Sequence, residues 1–248
     1  MTQQQWKYFC DFKNQFKKKV EEWKKAAPEL TELQRQAALL AKTPEYPFET
    51  TVVYNRSLDD ITPQDEIKLI VIGDNPGKDE QLAKNNRYLV GQAGKIAEGY
   101  FRKNPELGVD FRKNVIILNK TPVHSAKTIQ LNAIAKQGGE KIADLIKTSQ
   151  LWMAEKTAGL HAALGTELWL VGYSELKPRG IFCPYRDELK AACTPQAWER
   201  VYVFQHFSMN RFTIDLGDFI KAGKKENAPL ESNIHELGVL HRNEIFGA

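Results

Sequence analysis

Four polar side chains follow short apolar runs in this chain, and their chemistries are complementary. Asp74 and Asn75 come directly after one run, Asn119 ends the next, and His206 follows the last. A carboxylate can orient a water molecule, and a carboxamide offers one donor and one acceptor. A neutral imidazole can donate a hydrogen bond to a developing negative charge. If these groups meet, they could bind a small polar ligand and direct water at it.

The apolar runs are β-branched and alternate with helical stretches. They predict strands over 67–72, 114–119, 167–171 and 200–205. Helices are predicted at about 92–103, 140–164 and 213–222. The alternation predicts an α/β fold, a three-layer α/β/α sandwich around a central, mainly parallel four-stranded sheet. Ligands of such sheets bind beyond the carboxyl ends of the strands, so the four polar side chains are expected in one crevice.

The segments outside this core have other patterns. An aromatic and apolar stripe at helical spacing predicts one long N-terminal amphipathic helix, formed by Trp6, Phe9, Phe12, Phe16, Val20 and Trp23. A second helix is predicted at 31–42. We therefore predict an N-terminal helical extension (1–60), an α/β domain (61–222) and a C-terminal tail with little periodicity (223–248). Within the α/β domain, residues 120–138 are expected to form a polar excursion, and an irregular stretch rich in proline, arginine and cysteine is expected between the strands at 167–171 and 200–205.

The charge of the chain is concentrated at its start. The net charge is +4, and residues 1–25 hold seven lysines against three acidic residues. The remainder is therefore neutral overall. The lysine run is typical of a solvated helix face. A prediction of nucleic-acid binding must depend on local patches rather than on the total charge.

Cysteine count and apolar run lengths exclude several classes. Cys10, Cys183 and Cys193 form no Cys-x-x-Cys pair, so a disulfide framework, a zinc site and an iron–sulfur cluster are poorly supported. No cofactor is predicted. The apolar runs are far shorter than the roughly 18 residues of a membrane span, and the first residues lack a secretory pattern. We expect a cytoplasmic protein without membrane contact.

The glycine-rich turns do not have the spacing of nucleotide-binding loops. The segment 73–78 contains neither Gly-x-x-x-x-Gly-Lys-Ser/Thr nor Gly-x-Gly-x-x-Gly. The segment 91–95 ends in Lys95 but is followed by Ile96 instead of a hydroxyl residue. An ATPase, a dinucleotide enzyme or an unrelated flavodoxin-like enzyme is therefore disfavoured.

Taken in order, these motifs resemble those of the uracil-DNA glycosylase superfamily. Residues 73–77, Gly-Asp-Asn-Pro-Gly, resemble its first motif, which is Gly-x-Asn-Pro-Gly in two branches. Residues 88–94 are most similar to the thermophile-type branch. Residues 115–119 resemble the strand whose terminal asparagine reads uracil, and 206–210 resemble the His-Pro-Ser-Pro motif. The chain departs from the pattern at Phe207 and Met209, which replace prolines, and in lacking the four cluster cysteines of the thermophile-type branch.

The resemblance implies a DNA glycosylase that hydrolyses the N-glycosidic bond of uracil or a related damaged base. Asn75, with Asp74 as its rival, would position the water, and His206 would donate a hydrogen bond to the base oxygen. Tyr88 would stack on the extruded base and Asn119 would read its edge. Three of these residues have a structural alternative: His206 as a core histidine, Asn119 as a turn cap and Tyr88 as a packing residue.

The resemblance also implies a rim that contacts DNA. The candidate cations near the pocket motifs are Lys78, Lys95, Lys120, His124 and Arg211. The backbone of the Ser208 turn would meet phosphate, and Met209 and Arg211 are candidates for a wedge that enters the minor groove. The alternative is a catalytically weak or inactive relative that binds a nucleobase or nucleic acid.

Overall fold

Four parallel strands form one sheet in the order β2-β1-β3-β4 in the computed structural model, which describes residues 1–247. The strands are β1 (Leu69–Gly73), β2 (Val115–Asn119), β3 (Glu167–Val171) and β4 (Val201–Phe204). Nearly every strand residue is buried, because β-branched and aromatic side chains face helices on both sides of the sheet. The predicted α/β sandwich is confirmed, and the sheet is parallel throughout.

Nine α-helices accompany the sheet within the described residues. They are α1 (Gln3–Ala26), α2 (Leu30–Leu40), α3 (Gln92–Lys103), α4 (Gln130–Gln137), α5 (Gly139–Leu164), α6 (Cys183–Ala192), α7 (Pro195–Trp198), α8 (Arg211–Gly223) and α9 (Leu230–Phe246). No helix among residues 1–247 is both long enough and apolar enough to cross a membrane.

The register of the sheet brings distant residues to one edge. β1 is central, with β2 on one side and β3 on the other, and Gly73 at its end lies level with Asn119 of β2. The chain passes from β1 to β2 on one side of β1 and then crosses to β3 on the other side. A topological switch point therefore lies at the carboxyl ends of β1 and β3. Ligand sites of open α/β sheets occur at such points.

The aromatic stripe of α1 packs on α5. Phe12, Phe16 and Trp23 surround Trp152, with ring centroids 6.4, 5.8 and 5.7 Å from it. The lysines of α1 lie on its other faces, and Lys17 forms an ion pair with a neighbouring loop. The predicted amphipathic helix is confirmed, and its apolar face belongs to the same core as the sheet.

Three stretches predicted as irregular contain helices. The polar excursion includes α4, the stretch before β4 includes α6 and α7, and the expected tail forms α9. α9 packs on β4 so closely that a Cβ at Gly238 would lie 2.6 Å from the Cβ of Tyr202. Its buried face includes Asn233, Gly238 and His241. These non-aliphatic residues hide the apolar period, which is why the sequence pattern missed the helix.

Candidate active site

The four polar strand-end side chains line one crevice beyond the carboxyl ends of the strands. The crevice has a volume of about 1080 Å³, and its wall includes Asp74, Asn75, Asn119 and His206. It lies at the switch point between β1 and β3, where Gly172 also contributes to the wall. The parallel sheet therefore brings together groups that are up to 132 residues apart along the chain.

Asp74 follows β1 and is held by a buried ion pair. Its Oδ1 lies 2.5 Å from Lys120 Nζ, and its Oδ2 accepts a hydrogen bond of 3.3 Å from Thr128 Oγ1. Burial lowers the pKa of the Lys120 ammonium, and the charge of Asp74 opposes that shift. The Lys120 side chain is fully buried, whereas 12% of the Asp74 side chain is exposed. The carboxylate is thus the member of the pair that reaches the crevice.

Gly172, just after β3, gives this carboxylate its space. Its φ is +94°, a conformation that side chains rarely adopt. A Cβ at this position would lie 2.2 Å from Asp74 Oδ1. Both the backbone conformation and the close approach therefore require glycine here.

Asn75 is fixed by hydrogen bonds to the loop after β2. Its Nδ2 donates to the carbonyl oxygen and to the Oγ of Ser125, each at 3.0 Å. The amide nitrogen is thereby committed to the protein. The Oδ1 oxygen is left as the acceptor that this side chain can offer a ligand or a water molecule.

Asn119 presents an amide without a partner. The residue is 1% exposed, and its Nδ2 has no hydrogen-bond partner within residues 1–247. Its Oδ1 packs against Gly73, where a Cβ would lie only 2.5 Å away. A buried amide donor without an acceptor is unfavourable, and such groups often mark functional positions.

His206 is arranged as a neutral hydrogen-bond donor. Its Nδ1 accepts a hydrogen bond of 3.1 Å from the backbone N–H of Ser208 and lies 2.8 Å from Ser208 Oγ. Burial lowers the pKa of His206 and outweighs the opposing charge of Asp74. With Nδ1 as acceptor, the proton of the neutral ring is on Nε2. Nε2 is therefore the donor available to a ligand.

Glu80 is a buried carboxyl of the crevice wall that sequence reasoning did not assign to the site. Its two oxygens accept hydrogen bonds from the backbone N–H groups of Gly77 (3.1 Å) and Leu89 (2.9 Å). Burial raises its pKa to about 7, against the effect of these two donors. The side chain links the two loops that form one side of the crevice. Its position three residues after the Gly77 turn was the available sequence signal.

Tyr88 does not line this crevice, so the predicted base-stacking position is wrong. The residue is 1% exposed, and its hydroxyl donates a hydrogen bond of 2.5 Å to the carbonyl oxygen of Val53. A buried tyrosine hydroxyl requires an acceptor, and this one lies in the interior. Tyr88 borders a second cavity of about 540 Å³. Leu89, with a φ of +50°, lines the crevice in its place.

Three of the predicted DNA-contacting cations lie away from the rim of the crevice. Lys120 is buried beside Asp74, as described. His124 is fully buried and donates from Nδ1 to the Pro76 carbonyl oxygen (2.8 Å), and burial lowers its pKa to about 4, so it is uncharged. Lys95 is exposed but borders the second cavity. Sequence proximity to a motif did not predict the direction of these side chains.

The other predicted contact residues do line the crevice. Lys78, Ser208, Met209 and Arg211 contribute to its wall, as does Lys127, which was not predicted. Met209 is 72% exposed with a φ of +55°. Four acidic residues with at least partly exposed side chains also line the crevice: Asp79, Glu175, Asp215 and Asp218. The mouth of the crevice therefore carries both signs of charge.

The group of side chains in residues 1–247 that could hold a metal ion lies elsewhere. Glu167, Glu231 and His235 place their ligand atoms within 4.8 Å of one another. Glu167 begins β3, whereas the crevice lies at the other end of that strand.

Comparisons with protein-family models, curated proteins and solved structures find no match to this chain.

Proposed function

We propose that the crevice binds an extruded pyrimidine base of DNA, uracil or a related damaged base, and hydrolyses its N-glycosidic bond. One observation carries the proposal. The unpartnered Asn119 amide and the neutral His206 ring line the same crevice as the Asp74 carboxylate. An edge reader, an oxygen-directed donor and a water-orienting group are what this hydrolysis requires.

The reaction assigns one task to each group. The bond between the base nitrogen and the sugar carbon breaks, its electron pair leaves with the base, and a water oxygen bonds to the sugar carbon. Nε2–H of His206 would donate to the base oxygen on which negative charge develops. The carboxylate of Asp74 or the Oδ1 of Asn75 would orient the water, and its proton would leave to the carboxylate or to solvent. A carboxylate also favours the cationic sugar.

Base selection would depend on the Asn119 amide. One donor and one acceptor match the N3–H and O4 edge of uracil, and the same amide turned over would match cytosine. Selection of uracil would require Nδ2 to face O4 and Oδ1 to face N3–H.

The acidic residues at the mouth favour a second candidate function. Asp79, Glu175, Asp215 and Asp218 would repel the phosphates of a strand lying across them. A protein that retains the base pocket but binds a free nucleobase or nucleoside, without catalysis, would not be hindered by these acidic residues, because its ligand carries no phosphate.

Oligonucleotides carrying one uracil, single- and double-stranded, separate the two functions. Alkali after incubation cleaves the strand wherever the base has been removed. We expect cleavage by the unaltered protein and a loss of about 10²- to 10³-fold in His206→Leu, the effect of removing one donor to a developing anion. His235→Leu, at the other end of the sheet, is the matched control. If the unaltered protein cleaves neither substrate, calorimetric titration with free uracil decides whether the second function holds or both fail.

The rim can be tested by charge removal. Lys78→Ala with Arg211→Ala should weaken binding of any DNA sequence and flatten its salt dependence by about one unit of slope per lost phosphate contact. Deleting residues 1–25 is not a clean control, because it would expose the core face covered by α1. Lys18→Ala with Lys25→Ala removes the same charge from exposed positions of α1. If Lys18→Ala with Lys25→Ala abolishes binding and the rim substitutions do not, the DNA site lies on α1 and not at the crevice.

A further inference from the structure

Lys120 connects the ends of three neighbouring strands. It follows β2, and its Nζ lies 2.5 Å from Asp74 Oδ1, 2.5 Å from the carbonyl oxygen of Val171 and 3.3 Å from that of Gly73. These acceptors belong to the ends of β1 and β3 and to the residue after β1. An ammonium group has three N–H donors, and here each has an acceptor. The lysine is thus fully satisfied at the switch point of the sheet.

Stability is a weak explanation for this arrangement. The Lys120 side chain is 0% exposed, and removing an ammonium ion from water is costly. Replacing a buried ion pair with well-packed apolar residues often leaves the stability of a protein unchanged or increases it. The ring of Phe182 lies 5.1 Å from Nζ, so the surroundings are partly apolar already. The fold alone does not require a charge here.

Every feature around the pair restricts the Asp74 carboxylate. Lys120 holds Oδ1, Thr128 holds Oδ2, and Gly172 leaves the space that Oδ1 occupies. His206 and Glu175 are the other titratable groups that interact with the pair through their charges. The carboxylate therefore has one orientation, and that orientation faces the crevice.

We propose that Lys120 is a positioning residue that acts through Asp74, fixing the orientation of the carboxylate that holds the attacking water. The assignment builds on the proposed function. It also replaces the predicted role of Lys120 as a DNA contact, since a fully buried ammonium cannot reach phosphate. Asn75, whose Nδ2 is committed to Ser125, then supports the loop beside this carboxylate.

The kinetic test uses Lys120→Met in the full chain with the uracil oligonucleotide. Loss of orientation should lower kcat about 10- to 100-fold, with KM changed by less than about twofold, because the substrate contacts remain. On an Asp74→Asn background the same change should lower kcat less than about twofold further, because the group it positions is gone. Lys141→Met on α5, which breaks an exposed ion pair with Glu29, is the matched control.

Additive losses in the double variant, or an unchanged kcat in Lys120→Met, would overturn the proposal. A crystal structure of Lys120→Met gives a readout that needs no activity. The Asp74 carboxylate should leave its present orientation, and an unmoved carboxylate would contradict the assignment even if the protein proves to be no enzyme. Lys120→Gln keeps N–H donors without the charge and serves if the methionine variant does not fold. If neither variant folds, Lys120 is a stability residue and the proposal fails.

Discussion

The buried carboxyl of Glu80 makes the stability of this protein depend on pH in an unusual direction. Only 8% of the residue is exposed, and burial raises its pKa from 4.5 to about 7. Between these two values the folded state binds the Glu80 proton more tightly than the unfolded chain does. The free energy of unfolding must therefore decrease as the pH rises through this window. Most carboxylates that are paired in a folded protein have a lowered pKa, so the free energy of unfolding increases as the pH rises through their titration.

The magnitude follows from the two pKa values. The Glu80 contribution to the free energy of unfolding should decrease by about 2 to 3 kcal/mol between pH 5 and pH 8. Glu80→Gln removes the titration. Because the glutamine side chain has one acceptor oxygen for two N–H donors, the substitution also costs about 1 kcal/mol for one lost hydrogen bond, equally at both pH values.

Urea unfolding of both proteins at pH 5 and pH 8 measures the effect. We expect the stability advantage of the unaltered protein over Glu80→Gln to fall by about 2 to 3 kcal/mol from the lower to the higher pH. Glu155→Gln, an exposed carboxylate on α5, should show a constant difference. If the curves of the unaltered and Glu80→Gln proteins run parallel from pH 5 to pH 8, the reasoning about burial is refuted.

Three further substitutions have definite expected outcomes. Asn119→Asp should weaken uracil excision and shift preference toward cytosine, since two acceptors replace a donor and an acceptor; unchanged excision in the oligonucleotide assay would remove Asn119 from the site. Gly172→Ala should destabilise the protein by more than about 1 kcal/mol in urea unfolding, because both its backbone and its contact with Asp74 exclude a side chain. The hydrogen bond to Glu167 raises the pKa of His235, so this pair stabilises the fold below pH 6.5 and the effect is lost as the pH rises through the folded value. Melting temperatures of His235→Gln should therefore fall furthest below those of the unaltered protein at low pH, and an equal difference at pH 5.5 and pH 9 would contradict this.

The strands and the crevice were predictable because their signals are local. Each strand is a short apolar run, and the polar residue that follows it marks the carboxyl end, so Asn119 and His206 could be placed together from the sequence. The parallel topology of the sheet then predicts their common location, since it brings the carboxyl ends of the strands to one edge.

The misplaced residues depended on side-chain direction, which sequence spacing does not determine. Tyr88 found its acceptor in the Val53 carbonyl, 35 residues earlier in the chain. Lys120 turned inward to Asp74, and His124 to Pro76. Each of these partners is a tertiary contact. A motif can therefore locate a loop at the crevice without indicating which of its side chains faces the solvent.

The packing of α1 on α5 has a consequence for synthesis of the chain. The aromatic face of α1 is complete once Trp23 has been made, but its partner Trp152 belongs to a helix made much later. At about 5–20 residues per second, the roughly 130 intervening residues take about 6–26 s. Throughout that interval a nascent helix presents to water the phenylalanine and tryptophan side chains that Trp152 later covers. The ribosome-bound intermediate should therefore be a substrate for chaperones that recognise exposed aromatic segments, and productive folding should begin only after α5 has emerged.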